Sequence, residues 1–153
     1  MNTNDEKLIS LLQTEWQLLD ASVVTLIQSV EKCELIGVKL NYTFEEQESF
    51  DSLTSKFNRS SDLFTQKNIR TVWILLHESH VPFIDLMNMM EKLGIIKNAN
   101  QMIAIRDMRN QIAHEYIPEA LCELIPEVIE MIEQLVENIR CCHVFLSERQ
   151  WIK

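Results

Sequence analysis

The chain has 153 residues, a formal net charge of −9, 2 glycines, 3 prolines and 4 cysteines. That length fits a single domain over residues 1–153 with a sizeable core, and so few glycines and prolines exclude a loop-rich or β-rich fold. Leu, Ile, Glu, Gln, Lys and Met dominate instead, all good helix formers, so the expected fold class is all-α.

Asn4 is the expected N-cap of a first helix, with Asp5 and Glu6 in a first turn whose dipole favours carboxylates. Leu8, Leu12, Trp16, Leu19, Val23, Ile27 and Val30 then recur every three or four residues as one core stripe, and Gly37 is the natural stop. Thr43 and Glu46 form a T-x-x-E capping box for a second helix, whose stripe is Phe50, Leu53, Phe57, Phe64, Val72 and Leu75. Ser60, Ser61 and Asn68 interrupt that stripe, so a kink or break near 60–68 is preferred to one long helix. Val81-Pro82 opens a third helix, with Phe83, Leu86, Met87, Met90 and Leu93 inward, Met87, Met89 and Met90 read as core gap-fillers, and Gly94 as its end. Asn98 or Asn100 caps a fourth helix, read as continuous to residue 117. A short helical turn follows Pro118, and Pro126 begins a last helix to about Ser147. Val128, Ile129, Ile132, Leu135, Val136 and Ile139 face inward on it, with Glu127, Glu130, Glu133 and Glu137 outward. These elements predict an up-and-down bundle of four or five antiparallel helices.

The charge is unevenly spread. Residues 1–55 hold 3 basic and 10 acidic side chains and residues 111–153 hold 3 and 8, whereas residues 56–110 hold 8 and 5. Overall acidity argues against a nucleic-acid binder, but the positive middle segment is compatible with a local anion site. The cysteines show no C-x-x-C spacing and no disulfide-framework density. Asp5, Glu6 and Lys7 stand where a signal peptide needs positive charge, and the longest bulky apolar run, Val72 to Leu76, is far too short for a bilayer span. A cytoplasmic protein with reduced thiols and no membrane contact is expected. His77 and His80 lie three apart near a probable helix end without a third ligand, and read as surface histidines. Cys141, Cys142 and His143 are adjacent on a helix and point apart, so neither group predicts a metal site, and no cofactor is expected.

The fourth helix is the one stretch that gathers an arginine, an amide, a histidine and a tyrosine. At 100° per residue, Ile105, Met108 and Ile112 share the inward face. Arg106, Asn110 and His114 are spaced by four and stack on the opposite side beside Ile103, while Arg109 and Tyr116, seven apart, line a third edge. Arg109 and His114 are five apart, so their side chains leave the helix about 140° apart. Either the arginine curls round or a second copy of the helix faces the first. The second option predicts a homodimer with its axis near this helix, and Ile103 on a polar face supports a buried contact there.

Arg109 offers a planar fork that matches a phosphate. His114 can take or give a proton near neutral pH, and Asn110 can orient the imidazole or donate to a phosphate oxygen. Those are the needs of RNA cleavage in which a 2′-hydroxyl attacks the neighbouring phosphorus. Arg106, Arg59 and Lys67 are further candidates for phosphate contact. The same side chains also read as an ion-paired helix surface.

Arg109-Asn110-x-x-x-His114, extended to Tyr116 as Arg-x4-His-x-Tyr, resembles the signature of the HEPN superfamily (higher eukaryotes and prokaryotes nucleotide-binding domains), in particular its HepT-like toxins. Weaker echoes are Phe57-x-Arg59-x-x-Asp62 and Glu91-Lys92-x-Gly94. The resemblance implies an HEPN-like bundle and a homodimer whose two motif helices line a shared cleft. It also implies metal-independent RNA cleavage, with Arg109, Asn110 and His114 catalytic. It further implies a minimal nucleotidyltransferase antitoxin as partner, which transfers AMP to Tyr116 and thereby adds charge and bulk at the cleft. RNA, not DNA, is the substrate so implied. The alternative is a non-catalytic helical adaptor that binds substrate for a nucleotidyltransferase.

Overall fold

The computed structural model describes residues 2–153; helix makes up 80% of it, and the described residues hold no strand. Helix α1 spans Thr3–Ile36 and is capped by Asn2, whose side chain accepts from the Asp5 N–H at 2.8 Å. The cap therefore lies two residues before the expected Asn4. Asp5 still falls in the first turn, so the dipole argument survives the shift. Burial along α1 runs through Leu12, Trp16, Leu19, Leu26 and Cys33. Ile27, expected in the stripe, is exposed, because the inward direction drifts along so long a helix and residue 26 stays on it. Gly37 ends the helix at φ +70°, a conformation that suits glycine.

Helix α2, Phe44–Asp62, opens on the expected capping box. The Thr43 hydroxyl accepts from the Glu46 N–H at 3.2 Å while the Glu46 carboxylate accepts from the Thr43 N–H at 2.9 Å. The irregularity expected near 60–68 is present as a change of helix type, not as a break in the chain's helical course. Leu63–Asn68 form a π-helical segment leading directly into α3, Ile69–Leu75, so residues 44–75 make one unbroken rod. Phe64 and Ile69 are five residues apart and both fully buried, with the Ile69 N–H bonded to the Phe64 carbonyl. A π turn aligns residues at that spacing and absorbs the irregular stripe without interrupting the helix. Ser60 and Ser61 are buried contacts instead of breakers: Ser60 Oγ lies 2.9 Å from Ser22 Oγ, and Thr65 donates to the Ser61 carbonyl at 2.8 Å.

Helix α4, Phe83–Lys92, follows Pro82, which serves as its N-cap. Leu93, expected in the stripe, and Met89, expected in the core, are exposed, and Ile95 and Ile96 in the following loop are buried. Helix α5 spans Ala99–Ala113, four residues short of the expected Ile117. Pro118 keeps the helix from reaching Ile117. A proline disfavours the helical conformation in the residue before it, and Ile117 is extended at φ −99°, ψ 116°. Helix α6 then runs unbroken from Pro118 to Glu148, with Pro126 inside it, so the separate short turn expected before Pro126 is absent. Pro126 is exposed and withholds one hydrogen bond from the Cys122 carbonyl. The buried series Cys122, Ile125, Val128, Ile132, Leu135, Ile139, Cys142 and Leu146 continues on both sides of it and holds the helix together across that defect.

The result is a five-helix all-α bundle, counting 44–75 as one rod. Long-range contacts set the direction of its first two helices. Cys33 meets Ser49, Ser29 meets Lys56 and Ser22 meets Ser60, so α1 and α2 run oppositely. No described helix is long and apolar enough to cross a membrane.

Candidate functional site

The position of α5 is set at its N-terminus, where the free N–H groups of a helix need partners. Three side chains supply them. Asn98 caps the helix by accepting from the Gln101 N–H at 2.9 Å, and Glu91 accepts from the Ala99 N–H at 2.9 Å. Asn138, fully buried on α6, accepts from the N–H groups of Lys97 and Asn98 at 2.9 and 3.0 Å. Its amide nitrogen donates to the Gln101 side chain at 3.0 Å and to the Gln134 carbonyl at 2.8 Å. Every polar atom of this buried amide is therefore used. Met102, Ile105, Met108 and Ile112 lock the inward face of α5, and its outward side chains are presented from a fixed rod.

Arg106, Arg109 and Asn110 line a cleft of about 530 Å³ between α5 and the end of α2, together with Arg59, Asp62 and Lys67. Sequence reasoning named five of these six as site candidates. Asp62 appeared only as part of a weak pattern, and its role is specific. It takes two hydrogen bonds from Arg109, Nε to Oδ1 at 3.2 Å and Nη2 to Oδ2 at 2.9 Å. This fork-to-fork pairing fixes the plane of the guanidinium. The hydrogen bond to Asp62 is the main cause that raises the Arg109 pKa above its ordinary value, with burial pulling the other way. Arg106 is held separately: its guanidinium carbon sits 4.6 Å from the centre of the Phe83 ring, a cation–π contact that ties α4 to α5. Four cations and one carboxylate thus face one cleft on a molecule whose net charge is −9. The π-helical segment forms part of its wall through Leu63, Thr65, Gln66 and Lys67. Such segments recur where a helix must place side chains that a regular repeat would not.

His114 lies outside this cleft. It is the C-cap of α5, exposed, at φ −104°, ψ 3°, with its backbone N–H on the Asn110 carbonyl at 3.2 Å. Tyr116 does not share a helical edge with Arg109 as the spacing suggested, because α5 has ended before it. It stands 84% exposed on the connection to α6, beside a different cleft bounded by Phe44 and Ile117. Ile103 is half-buried and packs on the core of its own chain. One copy of the chain therefore brings together Arg59, Lys67, Arg106, Arg109 and Asn110, and leaves His114 and Tyr116 toward the other end of the bundle. His77 sits apart, its Nε2 3.4 Å from the Asp5 carboxylate.

Comparison with protein-family models, with curated proteins and with solved structures returns no match for this chain.

Proposed function

We propose that this chain is an HEPN-type endoribonuclease, the toxin of a pair whose nucleotidyltransferase partner modifies Tyr116. The observation that carries the reading is the cationic cleft, in which Asp62 holds the Arg109 fork beside Asn110, Arg106, Arg59 and Lys67. A phosphodiester seated there has its non-bridging oxygens against planar donors, which favours the extra negative charge of a pentacoordinate phosphorus. The 2′-oxygen forms a bond to phosphorus, the bond to the 5′-oxygen breaks, and the products carry a 2′,3′-cyclic phosphate and a 5′-hydroxyl. One proton leaves the 2′-hydroxyl and one reaches the 5′-oxygen, and His114 is the side chain assigned to proton transfer.

His114 is five residues beyond Arg109, about 7.5 Å along the axis and about 140° around it. A homodimer in which the α5 helix of one copy faces that of the other supplies the histidine to the opposite cleft. Tyr116 is exposed and two residues from His114, so AMP on its hydroxyl adds a phosphate charge beside the proton-transfer group. That exposure also favours the adaptor reading, in which the chain presents substrate to a nucleotidyltransferase and cuts nothing.

The test incubates the purified protein with total RNA and EDTA, after mass spectrometry has established that Tyr116 is unmodified. Wild-type protein cleaves and leaves cyclic phosphate ends, while Arg109→Ala and His114→Ala lower the rate by about 10²-fold or more. Equal, intact RNA in all three samples overturns the nuclease reading in favour of the adaptor.

A further inference from the structure

The end of the bundle away from the cationic cleft carries an apolar surface that the fold leaves uncovered. Leu35 is 89% exposed, Val38 81% and Leu40 100%, where α1 ends and its connection to α2 begins. Phe44 at the start of α2 and Ile117 before α6 add to the same end. Two clefts of about 500 and 300 Å³ abut here, sharing Gln47 and Cys122 in their walls, so the surface is a groove and not a scatter of single residues. Isolated exposed apolar residues are ordinary, but a contiguous grooved set marks a contact surface.

The rim of the groove is acidic. Asp51, Glu115, Glu119 and Glu123 line it, and its only cation, Lys39, is bound to the carboxylate of Glu46. The negative field reaches the buried Cys122, whose thiol pKa is pushed up by desolvation first and then by Asp51 and Glu119. Charge selects among occupants. RNA and an anionic membrane are repelled, and a second copy seated face to face sets this acidic rim against its own duplicate. A complementary occupant carries apolar side chains at its centre and free cations at its edges.

We propose that this groove docks a cationic amphipathic helix of a partner protein, with apolar residues at helical spacing in the groove and flanking Lys or Arg on its acidic rim. Along α2 the groove runs from Phe44, about 27 Å from Asp62 at 1.5 Å per residue, to Asp51, about 17 Å from it. Tyr116 stands in the groove's wall, so AMP there would also crowd the docking surface; peptide binding needs neither Arg109 nor His114, and either reading can fail without the other.

The probe is a fluorescein-labelled synthetic helix of leucine and lysine, with a leucine and glutamate counterpart as control, titrated by anisotropy at near-physiological salt. The lysine helix is expected to bind and the glutamate helix not. Leu40→Ser with Phe44→Ser, and separately Glu119→Lys with Glu123→Lys, should each weaken binding by about tenfold or more. Glu130→Lys with Glu133→Lys makes the same change in net charge on exposed α6 positions outside the groove, and should stay within about twofold of wild type. Circular dichroism establishes that each variant is folded. No binding of the lysine helix, equal binding of both helices, or equal weakening by the groove and control reversals overturns the proposal. So does conversion of a dimer to a monomer by Leu40→Ser with Phe44→Ser in light scattering, which assigns the groove to a second copy.

Discussion

Arg109 and Asp62 are 47 residues apart in the chain and share two hydrogen bonds in the fold. Both side chains are more than a third exposed, so the pair stabilises the fold by about 1 kcal/mol at most. Its consequence is orientation: the guanidinium plane is set before a phosphate arrives, and less freedom is lost on binding. Asp62→Asn keeps the shape and removes the charge-assisted fork. RNA cleavage should fall by about tenfold, with the thermal midpoint shifted by no more than a few degrees, measured on the same preparation. A raised folded-state pKa on a basic group gives stability that is full below the ordinary value and lost only as pH rises through the raised one. For Arg109 that window lies far above neutrality, so this pair adds no pH dependence near physiological conditions. Arg109, Asn110 and Arg106 were legible in the sequence because helical angle alone separates them from the core face. Asp62 was visible as a residue but not as a partner, since spacing along one helix says nothing about which other helix it meets.

At the level of elements, most of the fold was legible where one local rule sufficed. The capping box at Thr43 and the stop at Gly37 are examples, and Asn98 was one of two candidates for the α5 cap. Errors arose where tertiary packing overrode a local signal. Pro126 should end a helix, yet apolar positions buried on both sides carry α6 through it. Ser60, Ser61 and Asn68 should weaken a helix, yet a π turn keeps the rod continuous. Asn138 is the least legible of all, a polar residue in an apolar stripe whose value appears only against the start of α5. Asn138→Ala removes the acceptor of two part-buried N–H groups and leaves a small cavity, and should destabilise the protein by about 1–3 kcal/mol, a loss that a urea melt measures as a lower midpoint at unchanged slope. The α2 cap makes a second prediction. The hydrogen bond from Lys39 and then that from the Thr43 N–H hold the Glu46 carboxyl below its usual range. A depressed folded-state pKa gives stability present above the ordinary carboxyl value and lost as pH falls through the lowered one. Glu46→Gln should therefore lower the thermal midpoint at pH 7 and reduce its further loss on acidification below about pH 4.5, with the two proteins converging in acid.

The whole molecule has opposed ends. Basic side chains crowd the cleft between α5 and the end of α2, while carboxylates surround the apolar groove where α2 and α6 begin. A uniformly acidic protein would repel RNA, and the segregation of charge permits a local anion site on a body of net charge −9. The sequence showed this asymmetry by segment but not which faces the segments formed. It also showed that Arg109 and His114 leave their helix in different directions, and the early end of α5 sharpens that separation. We therefore propose a site divided between two copies, with Arg109 of one and His114 of the other on the same phosphate. Co-refolding Arg109→Ala with His114→Ala and assaying RNA cleavage in EDTA tests this most directly. Each variant alone should be inactive. Half of the randomly assorted dimers are mixed, and one of the two clefts in each mixed dimer keeps both groups, so about a quarter of wild-type activity should return. A mixture as inactive as its components, beside a wild type that cleaves, contradicts the shared site; a wild type that leaves RNA intact contradicts the nuclease itself.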